Sequence, residues 1–253
     1  NLAPIALATL IVITGMLYLW YRPRLQIAEE NRHYVMDMDA RASIRDPAEL
    51  KRTGPVLAAT ILGFFLHQPL HIEPATVALT GAAVALLITR VDLEQALSKI
   101  EWPTLFFFVA LFVMVGALEH TGAIDDVAQG VKDLTGGDRT AELLGIVAIA
   151  AAGSAVVDNI PFTAAMIPVV QELQTAAGAQ ADDAYWWALA LGACFGGNAT
   201  IIAAGANVAA AGLAERADRP IGFVAFLRIG LPVTLISILM ASGYVLVRYV
   251  ALN

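Results

Sequence analysis

The sequence predicts an all-α polytopic membrane protein built around a re-entrant hairpin and a discontinuous helix. Three observations carry that prediction. Hydrophobic residues make up 58% of the chain and charged residues 15%, against roughly 25% charged in soluble domains, and mean hydropathy is +0.70. Long apolar runs recur without the alternation of barrel strands, so the backbone must satisfy itself in helices. Two apolar stretches are interrupted, one by Asp158-Asn159-Ile160-Pro161 and one by Gly196-Gly197-Asn198-Ala199-Thr200. Paired interruptions of this kind point to the binding region of a secondary transporter.

The first span covers 2–21 and closes on the interfacial pair Trp20-Tyr21. It is too long and too poorly flanked for a signal peptide. The chain begins directly inside this run, which reads as the C-terminal part of a longer transporter with its N-terminal half upstream. Residues 22–53 form a polar loop with seven basic residues: Arg22, Arg24, Arg32, Arg41, Arg45, Lys51 and Arg52. The positive-inside rule places that loop in the cytoplasm. Everything from 54 to 253 is read as one transporter repeat. Spans two and three cover 55–69 and 74–90, and the link between them carries His67, His71 and Glu73. Those three could meet on a metal, but polar residues at a loop end are the simpler reading.

Residues 91–100 return to the cytoplasmic side as a short amphipathic helix, with Val91, Leu93, Ala96, Leu97 and Ile100 on one face. Span four, 102–118, is rich in Phe (Phe106, Phe107, Phe108, Phe112) and bracketed by Glu101 and Glu119. Its aromatics face lipid or pack. Residues 121–139 lie outside, with four acids against Lys132 and Arg139.

Two runs follow, 141–157 and 161–173, each short of the roughly 20 residues a crossing needs. Together they suit a hairpin, about 141–174, that enters and leaves on the outer side. The loop after it has no Lys or Arg. A broken helix spans about 184–215 and ends at Arg216 and Arg219 on the inside; the last span covers about 223–248. With this layout twelve of the 15 Lys and Arg residues are cytoplasmic, the exceptions being Lys132, Arg139 and Arg248. One full crossing in place of the hairpin would move Arg216 and Arg219 outside and weaken the bias, so the charge pattern favours the hairpin.

A helix that stops within the membrane leaves N–H groups free at one end and C=O groups at the other. The first attract anions and the second cations. Pro161 lacks an N–H and suits the first turn of the second hairpin arm, which Asp158 or Asn159 then caps. Oxygens of Ser154, Asp158 and Asn159 therefore collect at the hairpin tip, and Asn198, Thr200 and glycine carbonyls at the break. Hard oxygen ligands suit Na⁺, held by Asp158, Asn159 and Asn198, or a hydroxylated neutral solute. Burial favours the neutral form of a carboxylic acid, which makes Asp158 the candidate for exchanging H⁺ against a cation. Each residue also has a plainer reading. Asp158 could be only a cap, Asn198 only an interhelical hydrogen-bonding group, and Gly192 and Gly196 only points of close packing. Asn207 lines the cavity or ties helices together; its position leaves both open. Cys194 lies on the Asn198 face, where a small packing residue is the simpler reading.

Other classes are excluded or weakened. One cysteine permits neither an intrachain disulfide framework nor a CxxC metal site. No basic patch interleaved with aromatics suggests nucleic acid, and the net charge of -7 says little about partners. An intramembrane aspartyl protease needs two membrane aspartates, and HExxH and GxSxG are both missing. A non-transporting membrane subunit would gain nothing from two broken helices, which weaken a purely structural bundle.

Glu101-Trp102-Pro103-Thr104-Leu105-Phe106-Phe107-Phe108, Leu111 to Gly116, Val157-Asp158-Asn159-Ile160-Pro161-Phe162-Thr163, Gly192 to Asn198, Ala206-Asn207-Val208 and the tail from Ala211 to Arg216 together resemble the arsenite-permease and P-protein branch of the ion transporter superfamily. That branch is similar to NhaD-type Na⁺/H⁺ antiporters, plant silicon efflux carriers and, more distantly, citrate and dicarboxylate carriers. The resemblance covers nearly the whole chain. It implies two inverted repeats, each with a hairpin and a broken helix, of which this chain holds the second with the outward hairpin. It further implies a homodimer formed through a scaffold domain, an elevator-like transport domain, and residence in a bacterial plasma (inner) membrane. With Thr163 and Gly197 from the motifs, the candidate binding set is Ser154, Asp158, Asn159, Thr163, Gly197, Asn198, Thr200 and Asn207. The expected function is antiport or efflux of an inorganic ion or metalloid, with Na⁺ or H⁺ as coupling ion and no other cofactor. Arsenite or silicic-acid efflux without Na⁺ coupling, and carboxylate transport, are the alternatives. The carboxylate reading is weakened because the Arg residues lie at span ends. Two departures bear on substrate choice: family members usually carry Gly-Gly-Asn-Gly-Thr where this chain has Ala199, and Ile-Gly-Ala-Ser-Ala-Asn where it has Ile202-Ala203-Ala204-Gly205-Ala206-Asn207.

Overall fold

A computed structural model describes residues 2–24, 46–89, 91–178 and 183–251. Arg32, Arg41, Arg45 and Arg90 fall outside the described residues, which are helical or in turns, with no strand among them. The chain divides into two compact units, 25–102 on one side and 1–24 with 103–253 on the other.

After α1 (Ala3–Tyr21), which belongs to the larger unit, the smaller unit contains a helical hairpin of α2 (Pro47–Leu66) and α3 (Pro74–Thr89), followed by the short α4 (Leu93–Ser98). Asp46 starts α2: its Oδ1 accepts from the N–H groups of Ala48 at 2.8 Å and Glu49 at 3.0 Å, with Pro47 at the first helical position. The helix thus begins inside the stretch read from sequence as polar loop, because a capping Asp followed by Pro starts a helix regardless of polarity. Asp92 caps α4 through the Glu94 N–H, and the helix covers 93–98 of the 91–100 stretch read as helical, with none of its residues buried. Within this unit α3, at 16 residues, is apolar but shorter than a full crossing.

The larger unit holds α1 (Ala3–Tyr21), α5 (Trp102–His120), α6 (Ala123–Thr135), α7 (Arg139–Ser154), α8 (Asn159–Ala176), α9 (Ala184–Gly196), α10 (Gly205–Arg216) and α11 (Phe223–Val245), the last continuing as a π turn through Ala251. Helices α1, α5 and α11 with its extension are long and apolar enough to cross a membrane. Their faces are largely exposed; on α5, Phe106, Phe107 and Phe112 all point outward, as lipid-facing residues do.

The core lies where α7, α8, α9 and α11 meet. On α7, Leu143, Ile146, Val147 and Ala150 recur at helical spacing and are buried. They face α9, whose Gly192 and Gly196 let the two backbones touch. A Cβ at Gly192 would lie 2.6 Å from the Val147 carbonyl oxygen, and one at Gly196 2.5 Å from that of Ala151. Both glycines are therefore spacing residues, the plainer of the two readings offered by the sequence. A four-residue link, 155–158, joins α7 to α8, and the arms pack on each other, so they run antiparallel as a hairpin. Residues 121–139, read as an outer polar segment, contain the amphipathic helix α6. Ile124 and Ala128 are buried on its inner face, packed toward α7 and α8, and Asp125 and Asp126 occupy its first turn, where the helix dipole favours acids.

Candidate functional site

The hairpin tip and the helix break meet. Asp158 is the N-cap of α8, its Oδ1 accepting from the Ile160 N–H at 3.0 Å. Pro161 falls in the first turn of α8, where no N–H is needed. The Asn159 N–H donates to the Ala203 carbonyl at 3.1 Å, and Thr200 Oγ1 donates to the Ala155 carbonyl at 2.8 Å. These two bonds tie the tip to the segment between α9 and α10. Ser154, fully buried, adds a third tie nearby, its hydroxyl donating to the Ala193 carbonyl at 2.7 Å.

The break is held open by Asn207. Its Nδ2 donates to the carbonyls of Gly197 at 2.8 Å and Thr200 at 2.9 Å, bridging the two ends of the break. Both amide hydrogens are then used, and the Oδ1 acceptor remains. Asn207 therefore ties the break and also lines a cavity of about 440 Å³ together with Asn198, Phe226, Ile229, Gly230 and Val233. The Asn198 carboxamide makes no hydrogen bond to any described residue, and neither does that of Asn159. Gly230 of α11 is needed for this geometry: a Cβ there would sit 2.5 Å from the Ala199 oxygen and 2.7 Å from that of Asn198. Ala199, the departure from the family pattern, is buried and has no positive φ, so alanine fits the backbone.

Of the eight candidate residues, Ser154, Asn159, Thr200, Gly197 and Asn207 share the hydrogen bonds that join tip, α9 and break, Asp158 caps its own helix at the tip, and Asn198 and Asn207 face the adjoining cavity. Thr163 lies one turn into α8 and donates to the Asn159 carbonyl at 2.7 Å. Cys194 is exposed and lines neither cavity that Asn198 reaches. His67 bonds the Phe64 carbonyl through Nδ1, and among the described residues no three His, Cys, Asp or Glu gather into a metal-binding group. A cavity of about 450 Å³ between α2 and α3 has no charged or carboxamide side chain in its lining; the hydroxyl of Thr60, one of its walls, already donates to the Val56 carbonyl.

The sequence reading misses two features. Gly230 looks like any glycine in an apolar run. Glu142, at the base of α7, is 4% exposed, and the buried Tyr185 of α9 donates its hydroxyl to Glu142 Oε2. Arg139 acts electrostatically on Tyr185 from one turn earlier. An acid one residue inside the predicted hairpin run was the available sign.

The family model described as a citrate transporter matches residues 1–192. An uncharacterized transporter of Mycobacterium tuberculosis is 41% identical over 257 residues, covering 100% of this chain and 59% of its own length. A 46 kDa membrane protein of Mycobacterium leprae is 36% identical over 254 residues, with the same coverage. The human P protein is 35% identical over 242 residues, which is 90% of this chain and 29% of that protein. The chain thus spans 59% of the length of the mycobacterial proteins.

Proposed function

The chain belongs to the citrate transporter family, and on that premise we propose that it forms one repeat of a secondary transporter that exchanges an inorganic ion or metalloid against H⁺ or Na⁺ between the hairpin tip and the helix break. Family and apolar helices make it an integral membrane protein of a transporter class rather than an enzyme. The observation that supports the site is the docking of tip on break, through Asn159 N–H to Ala203 and Thr200 to Ala155. It ties the tip, with Asp158 next to Asn159 in sequence, to a break whose Asn198 and Asn207 line a cavity that presents carboxamides and no charged side chain; Asp158 itself is not in that lining. Asp158 supplies the exchangeable proton; Asn159 and Asn198 supply oxygens for the ion. A second hairpin and broken helix, as in a two-repeat fold, complete the site, and two copies form the working dimer in a plasma membrane.

The family name makes a carboxylate the second reading. A tricarboxylate would find no Lys or Arg in the cavity lining, and burying an unpaired anion is expensive.

The test is transport by the full gene product in vesicles carrying an internal pH reporter, with Na⁺, Li⁺, arsenite and citrate supplied separately. Asn caps a helix as well as Asp does, so Asp158→Asn removes the titrating group and keeps the cap. The expected result is cation-driven proton movement in the wild type and at least a tenfold loss in the variant. Equal proton exchange by both proteins would remove Asp158 from the mechanism; citrate-driven flux alone would favour the second reading.

A further inference from the structure

The hairpin of the smaller unit has no buried residue on either helix, yet its two helices are built to meet closely. A Cβ at Gly81 would lie 2.2 Å from Thr60 Oγ1, and one at Gly63 2.7 Å from Val77 Cγ1. These contacts set the register: Thr60 meets Gly81 and Gly63 meets Val77, so the start of α2 lies beside the end of α3. Along this seam the cavity of about 450 Å³ opens as a groove, with Pro55, Val56 and Ala59 on one wall and Thr76, Thr80 and Val84 on the other. The wall residues of α3 recur every four positions, one per turn, so the groove follows the helix axes.

The α2 wall runs on into two cations. Lys51 lies four residues before Pro55 and Arg52 four before Val56, so each sits one turn beyond a wall residue on the same face. Both are exposed. Of the nearby acids on α2, Asp46 is occupied by the helix cap, and Glu49 lies nearer the helix start, farther from the groove. Helix α3 carries no acid at all.

We propose that this groove docks an anionic phospholipid, with one acyl chain between α2 and α3 and the phosphate on Lys51 and Arg52. An apolar groove that ends at two cations is complementary to an amphiphile with an apolar tail and a negative head. Lipid tails are the natural solvent of exposed apolar helices on an integral membrane protein, and the groove adds a place where one tail is held. A second copy of the chain is the poorer fit. Two of its long apolar helices, α1 and α11, carry no acid to meet the cations. This reading is independent of the transport proposal.

The experiment uses the purified full gene product in detergent. It is titrated separately with phosphatidylglycerol and phosphatidylcholine, each bearing a photoactivatable diazirine in one acyl chain, and the labelled peptides are mapped by mass spectrometry. The expected result is saturable labelling of 55–60 and 76–84, reached at a roughly tenfold lower concentration of phosphatidylglycerol than of phosphatidylcholine. The double variant Lys51→Gln, Arg52→Gln should narrow that preference to within about threefold. Ala59→Phe fills the groove and should cut phosphatidylglycerol labelling there roughly tenfold; Thr80→Phe, from the opposite wall, decides if Ala59→Phe does not fold. Equal labelling by the two lipids in the wild type, an unchanged preference in the double variant, or unchanged labelling in the filled groove overturns the site. Competition by a short-chain phosphatidylglycerol as strong as by the long-chain lipid leaves only a phosphate contact and overturns the tail in the groove. Absent groove labelling, with a dimer that Ala59→Phe converts to monomer, gives the groove to a second copy.

Discussion

At the scale of single residues, the break depends on two side-chain facts. Asn207 spends both amide hydrogens on carbonyls at opposite ends of the break. Asn207→Ala strands those acceptors, at a cost of about 1–3 kcal/mol for a buried group left unsatisfied. A lower melting temperature together with lost transport is the expected outcome; lost transport at unchanged melting temperature would mean that Asn207 binds the cargo without holding the break. Gly230 acts through what it lacks. Gly230→Ala drives a methyl against two backbone oxygens that cannot rotate away, so α11 or the break must shift, costing about 1–3 kcal/mol as overpacking does. Neither effect is local in sequence. Asn207 was readable as a polar residue near a break, with its two roles undecided, and the structure gives it both. Gly230 was unreadable because its reason is a contact with residues far along the chain.

At the scale of elements, the strongest interface joins hairpin arm α7 to the first half of the broken helix, α9. Its apolar part was legible: the spacing of Leu143, Ile146, Val147 and Ala150 is a helical stripe, and two glycines four residues apart on α9 signal close approach. Its polar part was not. Glu142 sits beside the run's start, where an acid reads as a loop end, and only the fold brings Tyr185 to it. Removing the hydroxyl in Tyr185→Phe leaves a buried carboxylate without this donor, and Glu142→Ala removes the acceptor. A double-mutant cycle on melting free energies should return a coupling of about 0.5–3 kcal/mol, as for groups in direct contact; additive effects would show that the bond contributes nothing. Helix α6 was hidden for a related reason: Asp125, Asp126 and Asp133 make the stretch look like a loop, although Ile124 and Ala128 already share one face.

At the scale of the whole molecule, the remaining question is how deep the hairpin tip lies. The arms contain 16 and 18 residues, about 24 and 27 Å at 1.5 Å per residue, against a hydrocarbon core of about 30 Å. The tip ends on a break that divides the α9–α10 stretch into halves of 13 and 12 residues, each about 18–20 Å long. If the α9–α10 stretch spans the membrane, as the proposed function requires, a tip bonded to its middle stays within the membrane and does not emerge across it. On the topology expected from the sequence, the charge asymmetry predicts a hairpin base outside, with Arg216 and Arg219 inside. Cysteine labelling in a Cys194→Ala background checks both statements. Cysteines placed at Gly137 and Gly178, flanking the two arms, should react with a membrane-impermeant maleimide from the outside of intact cells. A cysteine at Val156, exposed on the tip in the protein, should resist the reagent from either side, or react only through the transport pathway and be protected by the transported ion. Labelling of Val156→Cys from the cytoplasmic side, unaffected by any ion, would make the hairpin two full crossings and move the site out of the membrane.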